Sequence, residues 1–107
     1  MVVAKIKIEG KAYTLQHPGA KWALDIQNEI QNGNGTINVT KVFEEGFEHC
    51  VFPEEGGKLT IQDFDDNMKE IKIWSDVLTN WMLDQSFSKK RVGFTVLEEP
   101  KKKVIQS

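Results

Sequence analysis

Three groups of residues have the types and spacing that chemistry uses. His17 stands before Pro18 and Gly19 in LQHPGAKWALDIQ, where an imidazole could serve as an acid or a base. His49 and Cys50 are adjacent, and a histidine is the usual activator of a thiol nucleophile. Asp63, Asp65 and Asn67 occupy the first three ligand positions of a calcium loop. None of the three completes its pattern. No second group stands at a recognisable catalytic spacing from His17. Consecutive residues of a helix diverge by about 100°, so His49 points away from Cys50, which falls on the apolar face. In the calcium pattern, Met68 stands where the sharp turn needs Gly and Trp74 where the bidentate Glu belongs. The expectation is therefore a boundary histidine, a buried inert thiol and a solvated acidic first turn. Gly33 and Gly35 lack the rest of a phosphate loop and read as a turn. No catalytic residue, metal site or cofactor is expected.

The elements that would hold these residues are legible from periodicity. Val3 to Ile8 alternates, with Ala4, Ile6 and Ile8 on one face, which predicts a strand. Glu9-Gly10-Lys11 is a turn and Ala12 to Leu15 a second strand, which makes a hairpin. Pro18 opens a helix whose apolar positions are Trp22, Ala23, Ile26 and Ile30, and Asn32-Gly33-Asn34-Gly35 ends it. Thr36 or Asn38 caps a second helix with Val39, Val42, Phe43, Gly46, Phe47 and Cys50 on one face. Gly46 inside that helix costs about 1 kcal/mol against Ala, which a close helix–helix approach would explain. Thr60 caps a third segment that runs through Phe64, Met68 and Ile71. The longest apolar stripe of the chain follows: Ile71, Trp74, Val77, Leu78, Trp81 and Met82. One bent helix or two consecutive ones fit, with any break near Asp65-Asp66-Asn67. Val92 to Leu97 reads as a final strand.

Bulk properties bound the class. The 107 residues are 39% hydrophobic and 28% charged, the balance of one ordinary globular domain. We expect a single α+β domain over residues 1–100, an N-terminal β-hairpin packed on a small bundle of three to four helices. Residues 101–107 read as a basic, flexible tail. The formal net charge of −2 argues against non-specific nucleic-acid binding, although Lys89-Lys90-Arg91 and Lys101-Lys102-Lys103 are local basic runs. One cysteine excludes an internal disulfide and suits a reducing cytoplasm. MVVAKIKIEG resembles neither a signal peptide nor a membrane span. Three Trp exceed what so small a core needs, which leaves one for an interface.

The order of these features resembles a known family. The stretches KIKIEGKAYTLQHPGAKWALDIQNEI, VTKVFEEGFEHCV and LTIQDF, within residues 4 to 66, resemble the tail assembly chaperones of long-tailed phages and prophages of Gram-positive bacteria. The resemblance implies a non-enzymatic protein of the bacterial cytoplasm. It would bind the tape measure protein, keep its hydrophobic helices soluble, help tail tube subunits assemble around it, and leave before the virion is complete. Self-association is implied too, since several copies must coat one long partner. A holdase needs an apolar, adaptable face. Trp74, Val77, Leu78, Trp81 and Met82 are the first candidates for partner binding, and the face Val39, Val42, Phe43 and Phe47 is the second. Core burial takes precedence for both, more narrowly for the first. The rival function is a structural phage protein, such as a tail completion or head–tail connector component.

Overall fold

The computed structural model describes residues 1–103. Two seven-residue strands, β1 (Val2–Ile8) and β2 (Lys11–His17), form the expected hairpin in register Ile8↔Lys11 through Val2↔His17. Period-two alternation puts Ala4, Ile6, Ile8, Tyr13 and Leu15 on one face, and all five are buried. The second strand runs two residues past Leu15, so His17 belongs to it and lies on the same buried face.

Helix α1 (Ala20–Ile30) starts two residues after Pro18, with Gly19 at φ 121° as its N-cap. A side chain is strained at that φ, so glycine is what lets the chain leave the sheet and enter the helix within three residues. Of the two candidate caps for helix α2 (Val39–His49), Asn38 does the work: its Oδ1 accepts from the Lys41 N–H at 3.2 Å. The chain then breaks where an acidic turn was expected. A 3-10 turn spans Ile61–Phe64, and helix α3 (Met68–Asp84) begins afresh after Asn67. Asp63 is spent on the turn: its Oδ2 accepts from the Thr60 N–H at 2.8 Å, in a reciprocal capping box. Asn67 and Glu70 cap α3, with the Glu70 N–H donating to Asn67 Oδ1 at 3.1 Å. Met68, expected on the apolar side, is exposed instead.

Two strands complete an antiparallel sheet of order β3-β2-β1-β4. The edge strand β3 (Val51–Pro53) lies in a stretch expected to be helix end and loop; it pairs with β2 through Leu15↔Val51. The other edge, β4 (Thr95–Lys102), begins three residues later than expected and runs five residues further. The expected flexible tail is therefore wrong at its start: Lys101 and Lys102 pair with Val3 and Val2. Lys103 donates its N–H to the Met1 carbonyl at 2.8 Å, and residues 104–107 of the expected tail lie outside the described residues. The fold is α+β as expected, with three helices and the 3-10 turn on one face of a four-stranded sheet.

The helices close on the sheet through one contact that needs glycine. A Cβ at Gly46 would lie 2.8 and 2.9 Å from the two methyls of Leu78 and 3.0 Å from Met82 Sδ. Leu78 and Met82 are themselves fully buried, so neither side chain can swing away. Gly46→Ala gains about 1 kcal/mol of helix propensity and loses about 1–3 kcal/mol to overpacking. The expected outcome in urea denaturation is a net loss of about 1 kcal/mol, and a loss in the Gly46→Ala/Leu78→Ala double variant smaller than the sum of the two single losses. A stabilised single variant, or strict additivity in the double, would contradict the close approach.

Candidate functional site

The stripe expected to meet a partner is the core of the molecule. Trp74, Val77, Leu78, Trp81 and Met82 are each no more than 1% exposed. Fully burying such a side chain contributes about 1.5–3 kcal/mol, so turning all five outward would cost about 8–15 kcal/mol. That is comparable to the whole stability of a small domain. The stripe cannot be a standing binding face. The second candidate face fares the same way: Val42, Phe43 and Phe47 are buried, and Val39 alone is exposed.

The residues that suggested chemistry are also absorbed by structure. His17 is 2% exposed and both ring nitrogens are engaged. Nδ1 accepts from the Gly19 N–H at 3.0 Å and from Gln85 Nε2 at 3.1 Å. Nε2 lies 3.0 Å from the Met82 carbonyl, which can only accept. The neutral tautomer with its proton on Nε2 is the form that satisfies all three. His17 thus joins the end of β2, the start of α1 and the end of α3. Trp22 meets it edge-on at 5.6 Å and is half-buried, which answers for the third tryptophan. Cys50 is free and fully buried, and burial pushes its thiol up to about 12. Among the described residues no three His, Cys, Asp or Glu side chains are grouped as a metal site. No described helix is long and apolar enough to cross a membrane.

What the fold leaves open is a groove of about 710 Å³ between the first half of α3 and residues 88–93. Lys69, Lys72, Ile73 and Asp76 stand at i, i+3, i+4 and i+7, so α3 presents one face to it. Lys89, Lys90, Val92 and Gly93 form the opposite wall. Asp76 fixes the wall rather than facing a ligand: its Oδ2 accepts from Ser88 Oγ at 2.8 Å. Gly93, at φ 84°, packs so closely on α3 that a Cβ would sit 2.5 Å from Ile73 Cδ1. Behind the loop, Phe87 stacks on Trp81 at 5.5 Å and meets the buried Phe94 at 5.8 Å, which ties this wall to the core. The groove thus combines an aliphatic floor with two lysines on each side. In the sequence, Lys89 and Lys90 were noted as a charge run, but Lys69 and Lys72 lie some twenty residues away and gave no sign of joining them.

Compared with protein-family models, with curated proteins and with solved structures, the chain matches none. Function must therefore be argued from the residues themselves.

Two expectations follow from the core. Trp81 Nε1–H donates to the Gln16 carbonyl at 3.0 Å, whereas Trp74 Nε1 has no hydrogen-bond partner among the described residues, although both indoles are fully buried. Trp81→Phe should therefore cost about 1 kcal/mol more than Trp74→Phe in chemical denaturation, because only it removes a hydrogen bond, the one to the part-buried Gln16 carbonyl. Equal losses would mean that the Trp81 bond adds nothing. Cys50 should resist thiol reagents at about pH 8 in the native state and react only as the protein unfolds, because the thiolate is the reactive form. Fast labelling of native protein would show that the site opens.

Proposed function

We propose that this chain is a non-enzymatic binding protein, a tail assembly chaperone that holds the tape measure protein while tail tube subunits assemble. The resemblance in residues 4 to 66 supplies the identity of the partner. The lysine-walled groove is the observation that carries the binding role, since it is the apolar concavity left once both apolar helix faces have gone into the core. Binding without catalysis is supported by His17, whose ring nitrogens are both taken up in fold-holding hydrogen bonds, by Asp63, whose Oδ2 caps a turn, and by Cys50, whose buried thiol is held in its unreactive form. In this reading the three helices act as a small bundle behind the hairpin, and α3 serves both as the core's central rod and as one wall of the binding surface. Self-association and a bacterial cytoplasmic setting belong to the same proposal.

The outer sheet face suits a solvated role rather than a second binding face. Lys5 pairs with Glu54 at 3.4 Å, and Lys58 lies 4.0 Å over the Phe52 ring. A structural component of the phage tail is the alternative reading, and it differs in fate: it would remain in finished particles.

The test is co-expression with a tape measure protein of a long-tailed phage. A soluble complex that co-purifies is the expected outcome, together with absence of the chain from purified particles. A partner equally insoluble with and without the chain overturns the chaperone reading, and presence in particles favours the structural one.

A further inference from the structure

We propose that the groove between α3 and residues 88–93 is a docking site for an acidic, amphipathic helical segment of a partner protein, an assignment that rests on the reading of this chain as a protein-binding one. Charge complementarity is the first ground. The chain carries a formal net charge of −2, yet four lysines converge on this one concavity. Among the described residues none of the four makes an ion pair, which holds also for Lys7, Lys11, Lys58, Lys102 and Lys103; what distinguishes the four is that they line one concavity. The lining's own carboxylate, Asp76, is taken up by Ser88 and by Asn80, whose Nδ2–H donates to Asp76 Oδ1 at 3.2 Å. Four lysines against the single carboxylate of Asp76 leave the lining net positive, and an acidic ligand relieves the repulsion among them.

The floor decides what kind of acidic ligand fits. Its aliphatic residues are Ile73, which is only 9% exposed beneath Gly93, and Val92, which is 69% exposed on the facing wall. Single-stranded nucleic acid binds through stacking on aromatic rings or guanidinium planes, and this lining has neither. The neighbouring Arg91 is clamped by Glu99 in a bidentate pair at 2.6 and 3.1 Å. An aliphatic strip flanked by carboxylates is the complement of an aliphatic floor flanked by lysines. From Lys69 to Asp76 the α3 wall runs about 10 Å, or two helical turns, which matches two turns of a docked helix with apolar residues at i, i+3, i+4 and i+7. The walls are pre-organised by the Asp76–Ser88 bond and the Gly93–Ile73 contact, which lowers the ordering cost of binding.

The probe is a fluorescently labelled helical peptide of roughly four turns, with a leucine strip flanked by glutamates. The controls are a scramble of the same composition, a counterpart with lysines for glutamates, and a single-stranded oligonucleotide. Fluorescence anisotropy against the full chain should show binding of the glutamate helix alone, weakened by salt. Lys72→Glu with Lys89→Glu should lower affinity about tenfold or more, since rim charges steer and select partners. Val92→Asp, on an exposed loop position, should do likewise with an unchanged circular dichroism spectrum. Unchanged affinity in both variants, equal binding of the scramble, preference for the oligonucleotide, or no binding up to about 1 mM each overturns the assignment. The two readings separate in co-expression. Tape measure capture that survives Lys72→Glu/Lys89→Glu removes the groove and keeps the chaperone; peptide binding without capture keeps the groove and removes the chaperone.

Discussion

The fold hangs on a buried imidazole. His17 is the last residue of β2, and its ring receives the first N–H of the α1 cap while it donates to the last turn of α3. One residue earlier in the chain, the Gln16 carbonyl receives the indole N–H of Trp81. These two bonds each span 65 residues, and both tie the sheet to the C-terminal end of one helix. A polar ring buried without partners would cost a few kcal/mol, so the three elements must arrive together for any of them to be stable there. Gln85 shows how tightly the junction is drawn. It caps α3 in the left-handed region at φ 52°, which costs a non-glycine residue about 1 kcal/mol. That conformation lets its amide reach His17 Nδ1.

Once α3 is pinned at its end, its faces are divided between two tasks. The side bearing Trp74, Val77, Leu78, Trp81 and Met82 is pressed onto the sheet and onto α2, with Gly46 opening the space for Leu78 and Met82. The opposite side of its first half carries Lys69 and Lys72 outward, with the half-buried Asp76 beside them. The returning chain then crosses this half of the helix, held by Phe87 on Trp81 and by Gly93 on Ile73, and brings Lys89 and Lys90 opposite. The groove is thus a by-product of where the core stops. Its charge is not forced by packing, because other exposed residues would let the chain cross α3 as well.

Much of this was legible in order and little of it in contact. The hairpin and the helical segments follow from spacing and from turn residues, which are local signals; the same signals left one bent helix or two open around Asp65-Asp66-Asn67, where the chain does break. Phe52-Pro53 read as loop because three residues carry too short a period to betray a strand. Glu98 to Lys102 read as tail because an edge strand with solvent around it can be charged at nearly every position. His17 read as a boundary residue with no partners because Met82 and Gln85 stand 65 and 68 positions away. The stripe was the hardest case, since an apolar helical face looks the same whether its own sheet or another protein covers it. Only packing decides that, and here the sheet covers it.

The same edges constrain how a partner can approach. Strand addition needs a long row of free backbone donors, and neither edge of this sheet offers one. The β3 edge has three residues and ends in Pro53, which has no N–H. The β4 edge is interrupted by Pro100, carries Lys101 and Lys102, and is braced from outside by the Arg91–Glu99 pair. The outer face between them is mostly polar, with Lys5, Thr14, Gln16 and Glu98 beside Val3. A partner that joins by β-pairing is therefore disfavoured on both sides, and one that presents an apolar helix finds its complement only on the helical layer. There the proposed helix would meet the aliphatic Val92 and a lining in which four lysines outnumber one carboxylate, so that charge would choose which helix binds.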